Sequence, residues 1–187
     1  ERSPKGFGFL IPDDPTREDI YISMENMDGA MHNDKVFVRL LSESKGKRQE
    51  GQVTKIVERA NKTIVGNLEK DHNFGFVVPD NKRIFTDVFI PSADMNGAQD
   101  GHKVVAQIEH WPQKNRNPEG KIIEILGRKN ETGVNIEGII RQLGLPGEFP
   151  DKVRREVETI SPEIEKDDIT ERRDLRDLPM VTIDGED

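Results

Sequence analysis

Lys5-Gly6-Phe7-Gly8-Phe9-Leu10-Ile11-Pro12-Asp13 decides the fold, because it returns as His72-Asn73-Phe74-Gly75-Phe76-Val77-Val78-Pro79-Asp80. The echo runs on. Asp19-Ile20-Tyr21-Ile22 reappears as Asp87-Val88-Phe89-Ile90, Met27-Asp28-Gly29-Ala30 as Met95-Asn96-Gly97-Ala98, and Lys35-Val36 as Lys103-Val104. The offset is 67 at first and 68 after one inserted residue. Self-similarity over this much of the chain means two copies of one folding unit.

Each copy is built of short apolar runs broken by glycine, proline, aspartate and asparagine, the signature of strands and turns. The second copy predicts five strands, at 63–70, 74–78, 88–90, 103–110 and 121–126. The first predicts four matching strands, at 7–11, 20–22, 35–41 and 52–58, and nothing in it matches Thr63-Ile64-Val65-Gly66-Asn67. The repeat sets Glu1 opposite Leu68. The chain is therefore expected to begin inside a domain, leaving the first barrel with an open edge and lower stability. Five short strands per copy point to a mainly β protein of two tandem five-stranded OB-type barrels, at residues 1–60 (first strand truncated) and 61–128. An SH3-like barrel shares this periodicity and stays open as an alternative.

Past residue 128 the texture becomes helical. Ile136, Ile139, Ile140 and Leu143 recur at i, i+3, i+4 and i+7, and Gly144 and Pro146 supply a stop. A second stripe, Phe149, Val153, Val157 and Ile160, ends at Ser161-Pro162, and Lys152, Arg154, Arg155, Glu156 and Glu158 form its solvated face. Residues 129–171 are read as a helical connecting segment.

Composition narrows the function classes. The 187-residue chain has no cysteine, which excludes disulfides and thiolate metal sites. No apolar run approaches the roughly 20 residues that cross a bilayer, so a soluble, cytoplasmic, monomeric protein with no membrane partner is expected. The net charge of −8 argues against nucleic acid until it is mapped. It divides as −1 over residues 1–60, zero over 61–128 and −7 over the remainder, so the acidity lies outside the repeats. A near-neutral repeat still has room for one positive face.

Strand alternation places the aromatics. Side chains two apart share a face, so Phe7 and Phe9 lie with Lys5, while Gly6 and Gly8 lie beneath. Tyr21 stands between Ile20 and Ile22; if those two fill the core, Tyr21 joins Phe7 and Phe9 outside. The second copy repeats the arrangement with His72, Phe74, Phe76 and Phe89. Three aromatics on an exposed sheet face invite association unless something covers them. Nucleobases do so well, at roughly 1–3 kcal/mol per stacked base, with Lys5 and protonated His72 beside the phosphates. The expected partner is single-stranded RNA.

These motifs resemble the cold-shock family. Lys5-Gly6-Phe7-Gly8-Phe9 matches its first ribonucleoprotein motif, and Asp19-Ile20-Tyr21-Ile22 and Asp87-Val88-Phe89-Ile90 approximate the second. His72-Asn73 replaces Lys-Gly in the second copy, and Ser23 and Pro91 replace the usual final histidine. Two such modules, a helical segment and then a stretch ending Thr182-Ile183-Asp184-Gly185-Glu186-Asp187 resemble the ribonuclease R family of the ribonuclease II superfamily. The resemblance implies that residues 172–187 are the truncated start, including a first strand, of a catalytic domain. It implies that Asp184 is the first ligand of an incomplete Mg²⁺ site, Asp187 having no assigned role. The parent would be a Mg²⁺-dependent 3′→5′ hydrolytic exoribonuclease of RNA degradation, taking structured RNA as well. Phosphodiester hydrolysis with Mg²⁺ needs several converging carboxylates. This segment is accordingly expected to bind and feed single-stranded RNA, with no cofactor and no activity of its own.

Other features weigh less. Lys45-Gly46-Lys47-Arg48 and the loop at 113–121 read equally as solvated turns or phosphate contacts, and Trp111 as barrel packing. His32, His72, His102 and His110 show no metal-ligand spacing. A free-standing tandem cold-shock RNA chaperone and a protein-docking element are the competing readings, since small barrels host unrelated functions.

Overall fold

A computed structural model describes residues 1–41, 49–113, 116–164, 169–170 and 172–183. It comprises two compact units, Glu1–Pro146 and Gly147–Asp187. The repeats and the first helix form the first unit.

The second repeat is a closed five-stranded barrel of β5 (Thr63–Lys70), β6 (Phe74–Pro79), β7 (Val88–Pro91), β8 (His102–His110) and β9 (Glu119–Arg128). Its order is β5-β6-β7-β9-β8. All pairings are antiparallel except β7 with β9, where Phe89 lies opposite Glu119 and its amide donates to the Pro118 carbonyl at 2.8 Å. Alternation fills the interior with Ile64, Leu68, Val77, Val88, Ile90, Val104, Ala106, Ile108 and Ile122, all buried. Trp111 packs against this core, as its sequence context predicts.

The first repeat has the same parts: β1 (Gly8–Leu10), β2 (Ile20–Ile22), β3 (Lys35–Leu40) and β4 (Gly51–Glu58). Here they form two antiparallel ribbons, β1-β2 and β3-β4, tied by a parallel bridge between Tyr21 and Glu50. Of the two expected barrels, the second repeat forms a closed one, while the first, expected to be a barrel with an open edge, is not a barrel among the described residues. In the second repeat β5 pairs with both β6 and β8; among the described residues no strand joins β1 to β3 in that way. Ile22, Met27, Ala30 and Val53 form a smaller core with Leu10, Ile20, Val36, Val38 and Ile56.

The internal register corrects one alignment. Ser3 N–H donates to the Phe7 carbonyl and Asp71 N–H to the Phe74 carbonyl, each at 2.8 Å. Arg2 lies opposite Gly8 as Lys70 lies opposite Gly75. Glu1 therefore corresponds to Glu69, one residue beyond Leu68, because the first repeat carries one residue more than the second between Ser3 and Phe7, in addition to the residue that the second repeat gains after Asp80.

Helix α1 (Val134–Gln142) packs on β5, β8 and β9. Its apolar stripe does not do the packing: Ile136, Ile139 and Leu143 are exposed, and Val134 and Gly138 are buried. Gly138 explains the roll, since a Cβ there would sit 3.3 Å from Lys103 Cδ and 3.5 Å from Val65 Cγ1. Arg141 locks the helix by a two-pronged contact to the Glu124 carboxylate on β9 (Nε to Oε2 3.0 Å, Nη2 to Oε1 3.0 Å).

In the second unit, helix α2 (Asp151–Glu158) exposes all of its residues, the charged face included. Residues 172–183 contain turns and no strand, so the expected first strand of a further domain is not present among the described residues. Asp184 and Asp187, Lys45-Gly46-Lys47-Arg48, and Lys114 and Asn115 of the 113–121 loop lie outside the described residues.

Candidate nucleic-acid interface

Phe74 and Phe76 lie two apart on β6, and Phe89 lies directly opposite Phe76 on β7. Gly75, Val77, Val88 and Ile90 between them are buried, which fixes the three rings on the outer face, each half-buried. The ring centroids are 5.6–5.9 Å apart, with Phe74 and Phe89 tilted by 33° and Phe76 edge-on to both. Phe7, Phe9 and Tyr21 reproduce this triangle at 5.6–5.9 Å, with Phe7 and Tyr21 at 38°. Two sequence-distant copies thus present the same cluster, and its edge-to-face contacts hold each ring in place. An aromatic surface so braced offers flat π-faces to a base.

The glycines make it possible. A Cβ on Gly75 would meet Leu68 Cδ1 at 2.9 Å and the Glu69 carbonyl at 3.1 Å; one on Gly8 would meet the Glu1 carbonyl at 2.6 Å. Without side chains the aromatic strands press onto their neighbours, and the rings stand proud of a tightly curved sheet.

Lys5 and His72 are placed differently from the expectation. They lie in the turns before β1 and β6, where a positive φ at Gly6 breaks the alternation that was to align Lys5 with Phe7. Both are exposed, and His72 Nδ1 lies 2.9 Å from Asp71 Oδ1. Hydrogen bonds from the His72 side chain and then its backbone hold the Asp71 carboxyl below its ordinary range. Burial, reinforced by Glu69, pushes the Asp87 carboxyl up. The platform edge is thus of mixed sign.

Alternation also misses a third group, at the seam between repeats. Phe85, in the β6–β7 loop, is 44% exposed, and the Arg2 guanidinium lies 5.6 Å from its ring centroid. Gly6 approaches the same ring, its Cβ position 3.7 Å from Phe85 Cζ. Arg83 of that loop reaches buried His32 of the first repeat. Phe85 has Arg17 at its repeat-equivalent position, so the duplication contains no signal for it. Further along the seam Arg59 stacks 4.5 Å over Trp111 and donates to Asp34 Oδ2 at 2.8 Å. Met31 inserts from the first repeat into the barrel core.

For the implied magnesium, Asp184 is outside the described residues, and among the described residues no three His, Asp or Glu side chains gather as a metal site. Among the described residues no helix is long and apolar enough to cross a membrane.

The comparisons with known proteins agree with this architecture. A cold shock domain model matches residues 76–150 and a ribonuclease B OB domain model matches residues 1–56. Ribonuclease R of Thermotoga maritima is 38% identical over 181 residues, covering 96% of this chain and 25% of that protein. Ribonuclease R of Acidithiobacillus ferrooxidans is 37% identical over 186 residues, 98% of this chain and 42% of that protein. Among solved structures, Mycoplasma genitalium RNase R in complex with ribose methylated single-stranded RNA superposes with a TM-score of 0.77 at 23% identity, covering 93% of this chain and 28% of that one. The chain spans about a quarter to two fifths of the length of these relatives.

Proposed function

The chain is homologous to ribonuclease R over nearly its whole length, and on that premise we propose that it captures single-stranded RNA for a 3′→5′ exoribonuclease. The observation that carries this reading is the duplicated triangle of rings, Phe7, Phe9 and Tyr21 and then Phe74, Phe76 and Phe89. Bases stack on such rings without regard to their identity, which suits an enzyme that must accept any sequence. The near-neutral charge of the repeats leaves the strand free to move on, as feeding requires, rather than being held by many phosphate contacts. The solved relative carrying single-stranded RNA supports the choice of ligand. Hydrolysis with Mg²⁺ is assigned to the whole enzyme and not to these barrels, with Asp184 proposed as the first metal ligand. The test is fluorescence anisotropy of a labelled 12-nucleotide oligouridylate against the 187-residue chain across a salt series. Binding of the single strand well above that of its duplex is the expected result; equal affinity for both would remove stacking as the mechanism.

A further inference from the structure

At the seam, donors of His32, Arg83 and Arg2 lack an acceptor among the described residues. His32 is buried, and its Nδ1 accepts the Arg2 backbone N–H at 3.0 Å. That bond leaves the proton of the neutral ring on Nε2. Nε2 faces Nη1 of Arg83 at 3.4 Å, so a donor looks at a donor. Burial first, and the Arg83 guanidinium second, push the His32 pKa down, which keeps the ring neutral. The Arg2 Nε is also buried, with no hydrogen-bond partner among the described residues. Among those residues neither Arg2 nor Arg83 has a carboxylate within ion-pair distance; Asp34 favours the charge on Arg2 from further off, but its oxygens are committed to Arg59, the Ala60 amide and the Met31 amide. Buried donors are normally satisfied, and cations brought together without an ion-pair partner mark a place for an anion.

We propose that the seam between the repeats binds one phosphodiester group of an RNA strand crossing from one aromatic platform to the other. Its non-bridging oxygens accept from His32 Nε2–H and from the guanidiniums of Arg83 and Arg2. Arginine's planar fork suits a tetrahedral oxyanion with two acceptors. The placement favours RNA over a peptide carboxylate. Gly6, beside Phe85, leads directly into Phe7 of the first platform. Arg83 and Phe85 lie on the loop joining β6 and β7, the two strands that carry the second platform. Phe85 itself, half-exposed under the Arg2 guanidinium, offers a base an intermediate stacking surface between the platforms.

This proposal rests on the RNA-binding reading, and its test separates the two. The 187-residue chain is titrated with inorganic phosphate while the His32 ring is followed by NMR, and separately with oligouridylates of 4 and 12 nucleotides. Arg83→Gln, Arg83→Lys and Phe76→Ala are compared; Arg83 is exposed, and the unchanged amide spectrum of each variant checks its fold. Phosphate is expected to shift the His32 resonances in the wild type and not in Arg83→Gln. The 12-mer should bind Arg83→Gln about tenfold more weakly, as loss of a charge-assisted hydrogen bond implies. Its salt slope should fall by about 1. The 4-mer, held on one platform, should bind Arg83→Gln as it does the wild type, and Arg83→Lys should recover part of the loss. An unmoved His32 overturns the seam site. A phosphate response with unchanged 12-mer affinity assigns the seam to free phosphate and overturns its role with RNA. Failure of the wild type to bind either oligonucleotide sinks the platform reading, and the phosphate titration alone then decides whether the seam holds an anion.

Discussion

Phe76 and Phe89 lie directly opposite one another across β6 and β7, their ring centroids 5.6 Å apart at 64°, and Phe9 and Tyr21 repeat the pairing across β1 and β2 at 5.9 Å and 66°. Each ring is braced by its cross-strand partner, and Phe76 and Phe89 remain half-exposed. Phe76→Ala removes a stacking face while leaving the buried Gly75 and Val77 in place. We expect affinity for a 12-nucleotide RNA to fall roughly 5- to 150-fold, the range of a lost base–aromatic stack. Anisotropy reads this, and an unchanged affinity would show that the rings serve packing alone.

Gly29 and Gly97 occupy equivalent positions, at φ +73° and +78°. Alanine at Gly97 meets open space, so it carries only the conformational penalty of about 1–2 kcal/mol. Alanine at Gly29 would in addition place its Cβ 2.3 Å from the Pro112 carbonyl oxygen, across the seam. Urea unfolding should show Gly29→Ala less stable than Gly97→Ala by about 1–3 kcal/mol, the usual range for overpacking. Equal losses would mean that the repeats are not pressed together there.

Lys103 Nζ and Asp80 Oδ2 form a 2.6 Å ion pair beneath α1, the lysine side chain 8% exposed and the aspartate 26%. Removing the aspartate strands a buried ammonium; removing the lysine leaves a carboxylate that can turn toward water and toward Asn67 Nδ2, 3.3 Å away. Asp80→Ala should destabilise by about 3–5 kcal/mol. Lys103→Met, whose chain still packs under Gly138, should destabilise by less than half of that. Chemical denaturation of the two variants checks the order.

His32 has a folded-state pKa below its ordinary value, because burial and then Arg83 disfavour the imidazolium; Arg2 acts the same way, while Glu1 opposes them. A base with a depressed folded pKa contributes stability that is present above its unfolded value of about 6.5 and lost as pH falls through the folded one. The unfolded chain then takes up a proton that the folded one refuses. Thermal unfolding between pH 7.5 and 5 should therefore show a decline that is shallower in His32→Asn, which keeps an acceptor for the Arg2 amide.

The strands and the aromatic platforms were legible in the sequence because alternation on a strand is local. Once Val88 and Ile90 are inside, Phe89 must be outside, and the duplication makes the same statement twice. Legibility stopped where that rule stops. Lys5 and His72 sit one turn ahead of the strands, and the positive φ of Gly6 resets which way side chains point. The stripe of α1 predicted a helix but not its buried face, which Gly138 determined by close approach to Lys103 and Val65.

The amino-acid sequence by itself determined that there are two copies of one unit, where their strands run, and which six rings share the outer faces. Those properties follow from period-two geometry and from chemistry a few residues apart. The missing counterpart of β5 predicted an open first repeat; tertiary structure alone decided that its described strands pair as two separate ribbons. It also decided that Arg2, His32, Arg83 and Phe85 meet. Pairing and burial bring together residues up to 83 positions apart along the chain, and the lack of an acceptor at their junction among the described residues is a fact of packing that no local pattern encodes.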